Sequence, residues 1–163
     1  MDFLKTQITF LKSIQLELSN IIRNKESAAY EACSFRIDNH KIISRKSKIT
    51  PKKIGQFVAI WKRNKEQITT PHTQEDNFNY FMILCEKEEK TGLFIFPKEI
   101  LIQKNIISTS KKEGKRGIRI YPSWDSPTSP LALKTQEWQL HYFTLLPAKT
   151  TEKKYYQKLF THK

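Results

Sequence analysis

Apolar residues recur at helical spacing at Leu4, Ile8, Leu11, Ile14, Leu18 and Ile21, which predicts a first helix running to Asn24 with Asp2 as its cap. Tyr30 to Ile37 reads as a strand. Asp38, Asn39 and His40 supply turn chemistry, and Lys41 to Ile49 returns as a second strand, so a hairpin is expected. Thr50 and Pro51 then look like a helix start, a side-chain oxygen to cap the first turn followed by a residue with no N–H to lose. Ile54, Phe57, Val58 and Trp61 follow at i, i+3, i+4 and i+7, predicting a helix with this stripe buried and Lys52, Lys53, Lys62 and Arg63 at its ends.

Lys65 to Asn77 is polar and broken by Thr69, Thr70, Pro71 and His72, so it is expected to be a loop. The nearly continuous apolar run Phe78 to Cys85 suits a central strand covered on both faces, with Leu93 to Phe96 returning beside it after the turn Glu86 to Gly92. Pro97 opens a short helix carrying Ile100 and Leu101, and Ile106 and Ile107 re-enter the core before a basic loop, Ser108 to Arg116. Gly117 to Tyr121 is a strand that buries Ile118 and Ile120 and turns Arg119 and Tyr121 the other way. Ser129 and Pro130 begin a long helix with Leu131, Trp138, Tyr142 and Leu145 on one face. Tyr155, Tyr156, Leu159 and Phe160 predict a short closing helix. This order describes one α/β (α+β) domain over residues 1–163, a mixed sheet flanked by helices.

Composition narrows the function classes. Ten Phe, six Tyr and three Trp in 163 residues argue for a packed core, and a formal charge of +13 points to an anionic partner, nucleic acid before acidic membrane or small phosphorylated ligands. The two cysteines, Cys33 and Cys85, lie in apolar strand-like surroundings and read as reduced core thiols. No signal core or membrane-length apolar run occurs, so a cytoplasmic location and no membrane partner are expected.

The strongest chemical signal lies between Asn39 and Lys65: nine cations (Lys41, Arg45, Lys46, Lys48, Lys52, Lys53, Lys62, Arg63 and Lys65) and no carboxylate. Cations gathered at a helix start resemble a phosphate site, whereas the plainer reading is a solvated basic face. A second cluster, Lys111, Lys112, Lys115, Arg116 and Arg119, stands beside Tyr121 and Trp124, and such rings could stack bases or simply pack on the sheet. Enzyme signatures are weak. The chain has four glycines and no glycine-rich phosphate loop, its histidines (His40, His72, His141 and His162) are scattered, and no nucleophile elbow is present. Glu31, with Asp38 or Asp76 and Lys48, could serve a magnesium-dependent nuclease, but Lys46 stands where a second acid is wanted.

Four segments, RKSKITPKKIGQFVAIWKR (Arg45 to Arg63), GLFIFPKEIL (Gly92 to Leu101), GKRGIRIYPSWD (Gly114 to Asp125) and KTQEWQLHYF (Lys134 to Phe143), make the chain resemble the MepB family over nearly its full length. The resemblance implies a small cytoplasmic bacterial protein, in some species encoded beside a multidrug efflux pump, with an architecture similar to restriction-endonuclease-like domains. The combined expectation is a nucleic-acid-binding protein, for DNA or RNA, without catalysis or cofactor. It would grip phosphates through Arg45, Lys48, Lys52, Lys53, Lys62, Arg63, Arg116 and Arg119, with Tyr121 and Trp124 as rings. The alternatives are a metal-dependent nuclease using Glu31, Lys48 and magnesium, or an accessory protein of drug efflux.

Overall fold

The computed structural model describes residues 3–162, so the expected Asp2 cap lies outside the described residues. Helix α1 (Phe3–Ser13) buries Leu4, Phe10 and Leu11 but ends eleven residues earlier than the periodicity predicts. Gln15 adopts a left-handed backbone and Leu18–Arg23 forms strand β1, pairing antiparallel with β2 (Cys33–Ile37). The helical spacing of Leu18 and Ile21 is overridden because β2 offers a hydrogen-bonding edge that an isolated helix end cannot match. Ile21 and Ile22 are accordingly exposed. Tyr30, expected to begin the next strand, instead closes a single 3₁₀ turn (Ala28–Tyr30).

Strand β3 (His40–Lys46) completes the expected hairpin through a turn with Asp38 in the left-handed region. It then runs parallel to β8 (Tyr80–Lys87), which pairs antiparallel with β9 (Lys90–Pro97). With β11 (Phe143–Leu146) on the far edge, the six-stranded sheet has the order β1-β2-β3-β8-β9-β11. Strand β8 is covered on both faces, as its composition predicts. Met82 and Leu84 face α1 and the closing helix α4 (Thr150–Thr161), which contributes Tyr156 and Phe160. Phe81, Ile83 and Cys85 face a second core with Phe94 and Phe96, and burying each of those rings stabilises the fold by about 2–3 kcal/mol relative to exposure. Cys33 and Cys85 are buried free thiols, and burial raises the Cys33 pKa to about 11.

The second core is roofed by a small sheet of order β10-β5-β4, built from β4 (Lys48–Ile49), β5 (Gln56–Ala59) and β10 (Gly117–Ile120). This corrects the helix expected from Pro51 to Arg63. Residues 50–55 form a turn in which Gly55 takes φ +85°, and a Cβ there would lie 2.7 Å from both the Ile120 carbonyl oxygen and the Tyr121 ring. Beyond it Gln56 and Val58 point inward and Phe57 outward, a period of two. The stripe Ile54, Phe57, Val58 and Trp61 fits a helix equally well, and only a partner strand sixty residues later resolves the ambiguity. Buried Gln56 joins the two sheets: it accepts from Ser47 Oγ at 2.6 Å and donates to the Glu86 carbonyl at 3.0 Å.

Strand β6 (Lys62–Arg63), at the end of the stretch expected to be helical, forms a short hairpin with β7 (Thr69–Thr70) in the expected loop, and α2 (Lys98–Gln103) follows Pro97 as predicted. Helix α3 (Pro130–Leu140) is capped by Ser129, whose oxygen accepts from the Ala132 N–H at 3.1 Å. It stops before Tyr142 and Leu145, because Phe143–Leu146 pairs with β9. Leu131, expected on its apolar face, is 78% exposed. The helix is anchored instead by Trp138 against Phe96 and by two glutamines described below.

Candidate functional site

The register of the small sheet assembles one surface from distant residues. Phe57 in the middle strand lies opposite Lys48 on one side and Arg119 on the other, so all three share the outward face. Phe57 packs edge-on to Tyr30, whose ring carries Lys48 Nζ 4.8 Å from its centroid. The Phe57 ring also crosses Gly117, where a Cβ would come within 2.4 Å of it. Arg119 donates from Nη2 to Thr50 Oγ1 at 3.0 Å and from Nη1 to the Ile54 carbonyl at 3.3 Å. It therefore braces the turn that displays Lys52 and Lys53, which are exposed and make no hydrogen bond or ion pair among the described residues.

The other expected cations are occupied. Arg45 is not a surface group: it is 2% exposed, donates to the Ser44 carbonyl at 2.9 Å, and lies 5.7 Å from the Phe81 ring centroid with its Nε unpartnered. Burial lowers its pKa to about 10. Lys62 pairs with Asp76 at 2.6 Å, Lys46 with Glu86 at 3.0 Å, and Arg116 with Glu113 at 3.2 Å. Arg63 rests on the Trp61 ring and donates to the Gln67 carbonyl. Trp124 is half-buried edge-on to Phe143, and Tyr121 packs beneath Gly55. Neither offers the free ring that the sequence suggests.

Helix α3 closes the free edge of β10. Gln139, 1% exposed, accepts from the Tyr121 N–H at 2.9 Å and donates to the Arg119 carbonyl at 3.1 Å. Gln136 donates to the Pro122 and Asp125 carbonyls at 3.1 and 2.8 Å. Between helix and strand lies a cleft of about 350 Å³, and Arg119 also lines a second cavity, of about 310 Å³, beside Lys52 and Lys53. A larger cavity of about 390 Å³ opens on the opposite side of the main sheet, between α1 and residues 146–148, with mostly apolar walls and away from these cations.

A third constellation had no signal beyond two noted residues. His72 Nδ1 lies 3.1 Å from Asp76 Oδ2, and Asp76 also accepts from Lys62 and from the Thr73 N–H, while Lys98 donates to its backbone carbonyl. Burial pushes the Asp76 carboxyl up, but the bonds from His72, Lys62 and Thr73 outweigh this and hold it well below the usual range. Burial lowers the His72 pKa against the pull of Asp76. The nuclease acids are not gathered: Glu31 precedes β2, Asp38 follows it, and Asp76 is engaged as described. Among the described residues no group of three or more His, Cys, Asp or Glu could hold a metal ion. No helix is long and apolar enough to cross a membrane among the described residues.

A sequence model of the MepB-like family matches residues 24–145. The chain belongs to the MepB-like family. A solved structure of MepB superposes with a TM-score of 0.80 at 33% identity, covering 91% of this chain and all of that one. A bacterial homing endonuclease superposes with a TM-score of 0.46 at 14% identity, covering 85% of this chain and 86% of its own. Comparison with curated proteins returned no match. The four segments that carry the MepB-like resemblance are contiguous in space. Strands β5 and β10 pair, Gln136 and Gln139 join α3 to residues 119–125, and Phe94 and Phe96 meet Phe143 and Trp138 at 4.8 and 5.5 Å.

Proposed function

We propose that the chain binds nucleic acid through the outward face of the small sheet and the turn beside it, without cleaving it. The observation that carries this reading is the cross-strand set Lys48, Phe57 and Arg119, which joins cations from two clusters distant in sequence around one ring. Lys52 and Lys53 extend it on a turn held in place by Arg119. Unpaired ammonium groups on a braced turn can exchange their counterions for phosphates at little conformational cost, the physical basis of salt-sensitive binding. Lys62 and Arg116 are secondary, because an acid already neutralises each.

The test is a binding titration with labelled DNA and RNA over a range of salt. Lys52→Ala with Lys53→Ala should make the log–log salt slope shallower by about two units, and Lys62→Ala should change it little. An unchanged slope in the double variant, or no salt-sensitive binding by the parent protein, refutes the reading.

A further inference from the structure

One side of helix α1 forms the wall of a cavity. Lys5, Thr6, Thr9, Phe10 and Ser13 fall on adjacent i, i+4 rows of the helix and line the space of about 390 Å³ noted above, a volume within the range of small-molecule sites. Its floor is the end of the main sheet, where Leu146 pairs with Thr91, and Ala148 continues the lining toward α4. Two contacts hold α1 against α4: the Phe10 and Tyr156 rings meet edge-on at 5.7 Å, and Gln157 donates to Gln15 Oε1 at 3.1 Å. The cavity is therefore preformed. Thr9 and Ser13 donate their hydroxyl protons to the Lys5 and Phe10 carbonyls at 2.8 and 2.5 Å, so they add no unmet donor to walls that are mostly apolar. The charged residues of the lining are Lys5, which is exposed, and Lys153, which is half-buried, and none is acidic. Neither ammonium group has a hydrogen-bond or ion-pair partner among the described residues. Glu152, beside Lys153 in sequence, accepts from the Thr144 hydroxyl and the Lys149 N–H instead.

We propose that this cavity binds a small free carboxylic acid with an apolar body, its carboxylate held by Lys5 and Lys153. The inference is independent of the nucleic-acid reading, because the cavity lies across the main sheet from the cationic face. Apolar walls favour a hydrocarbon body removed from water, and an ammonium group on a flexible stem meets a carboxylate without requiring one fixed angle. An uncharged apolar ligand would leave both ammonium groups uncompensated. A cationic ligand would add its own charge to theirs with no carboxylate in the lining to offset it. A nucleotide matches poorly as well, since its base and sugar bring polar edges that apolar walls cannot satisfy.

The experiment titrates the isotopically labelled protein with sodium octanoate, 1-octanol and octylammonium, following backbone amide shifts by nuclear magnetic resonance and heats by calorimetry. Octanoate should bind with shifts centred on α1 and residues 146–148. Its affinity should exceed that of octanol about tenfold, with octylammonium weaker than both. Lys5→Ala with Lys153→Ala should bring octanoate down to the octanol affinity, whereas Lys52→Ala with Lys53→Ala should leave it unchanged. Thr9→Trp, which fills the cavity from an exposed position on α1, should abolish binding of octanoate and octanol alike in a variant whose thermal melt confirms folding. Octanoate binding no tighter than octanol, an affinity indifferent to the loss of Lys5 and Lys153, shifts centred elsewhere, or no binding at all overturns the inference. None of these outcomes touches the nucleic-acid reading, which its own salt titration tests.

Discussion

Gln139→Leu is the most direct test of how the site is held together. The side chain is 1% exposed, and its amide satisfies one N–H and one carbonyl on the free edge of β10, at Tyr121 and Arg119. Leucine has a similar volume, so the substitution removes the two bonds without opening a large cavity. Each backbone group left buried without a partner costs about 1–3 kcal/mol, giving a loss of about 2–6 kcal/mol in all. In a domain of this size 1 kcal/mol moves Tm by about 2–4 °C, so thermal denaturation followed by circular dichroism should show a fall of about 4–24 °C. Hydrogen exchange supplies a local readout, because the Tyr121 amide should lose protection before the amides of β8 and β9. A melt within about 2 °C of the parent, with Tyr121 still protected, would refute the bracing role and with it the fixed geometry of Arg119 and the cleft.

Other expectations follow from single contacts. Arg45→Met should leave the nucleic-acid salt slope unchanged and stability equal or higher, since a buried guanidinium with an unpartnered Nε is replaced by apolar volume; a loss above about 2 kcal/mol in urea unfolding contradicts this. Gly117→Ala should cost about 1–3 kcal/mol in the same assay, because the new methyl would enter the Phe57 ring, and retained stability would show that the ring moves aside freely. Acid should destabilise the fold in two steps. His72, whose folded pKa is lowered, leaves the unfolded chain binding more protons as pH drops below about 6.5, and depressed Asp76 acts likewise below about 4, so stability falls with pH through both windows. In Asp76→Asn the lower step should disappear, and the unpaired Lys62 together with the lost His72 bond should cost about 3 kcal/mol at neutral pH; a parent-like pH profile would exclude the cluster as the source.

Local chemistry alone determined much of this molecule. Alternation and turn residues define the β2–β3 hairpin, the unbroken apolar run of β8 requires cover on both faces, Ser129 and Pro130 start α3, and the period of Tyr156 and Phe160 forms α4. These signals act within a few residues, where backbone sterics and side-chain direction suffice. The charge of the Arg45–Arg63 stretch was equally legible, but its meaning was not. The absence of acids in sequence does not survive folding, since Glu86 reaches Lys46 and Asp76 reaches Lys62 from other strands and loops, and Arg45 turns into the core. The same stretch satisfies helical and strand periods alike, and pairing with β10 chose the strand. That choice turned Phe57 from an expected core residue into the centre of a cationic face and set Arg119 beside it. Long-range register and burial decide such placements, because a strand draws its stability from neighbours that its own residues do not specify.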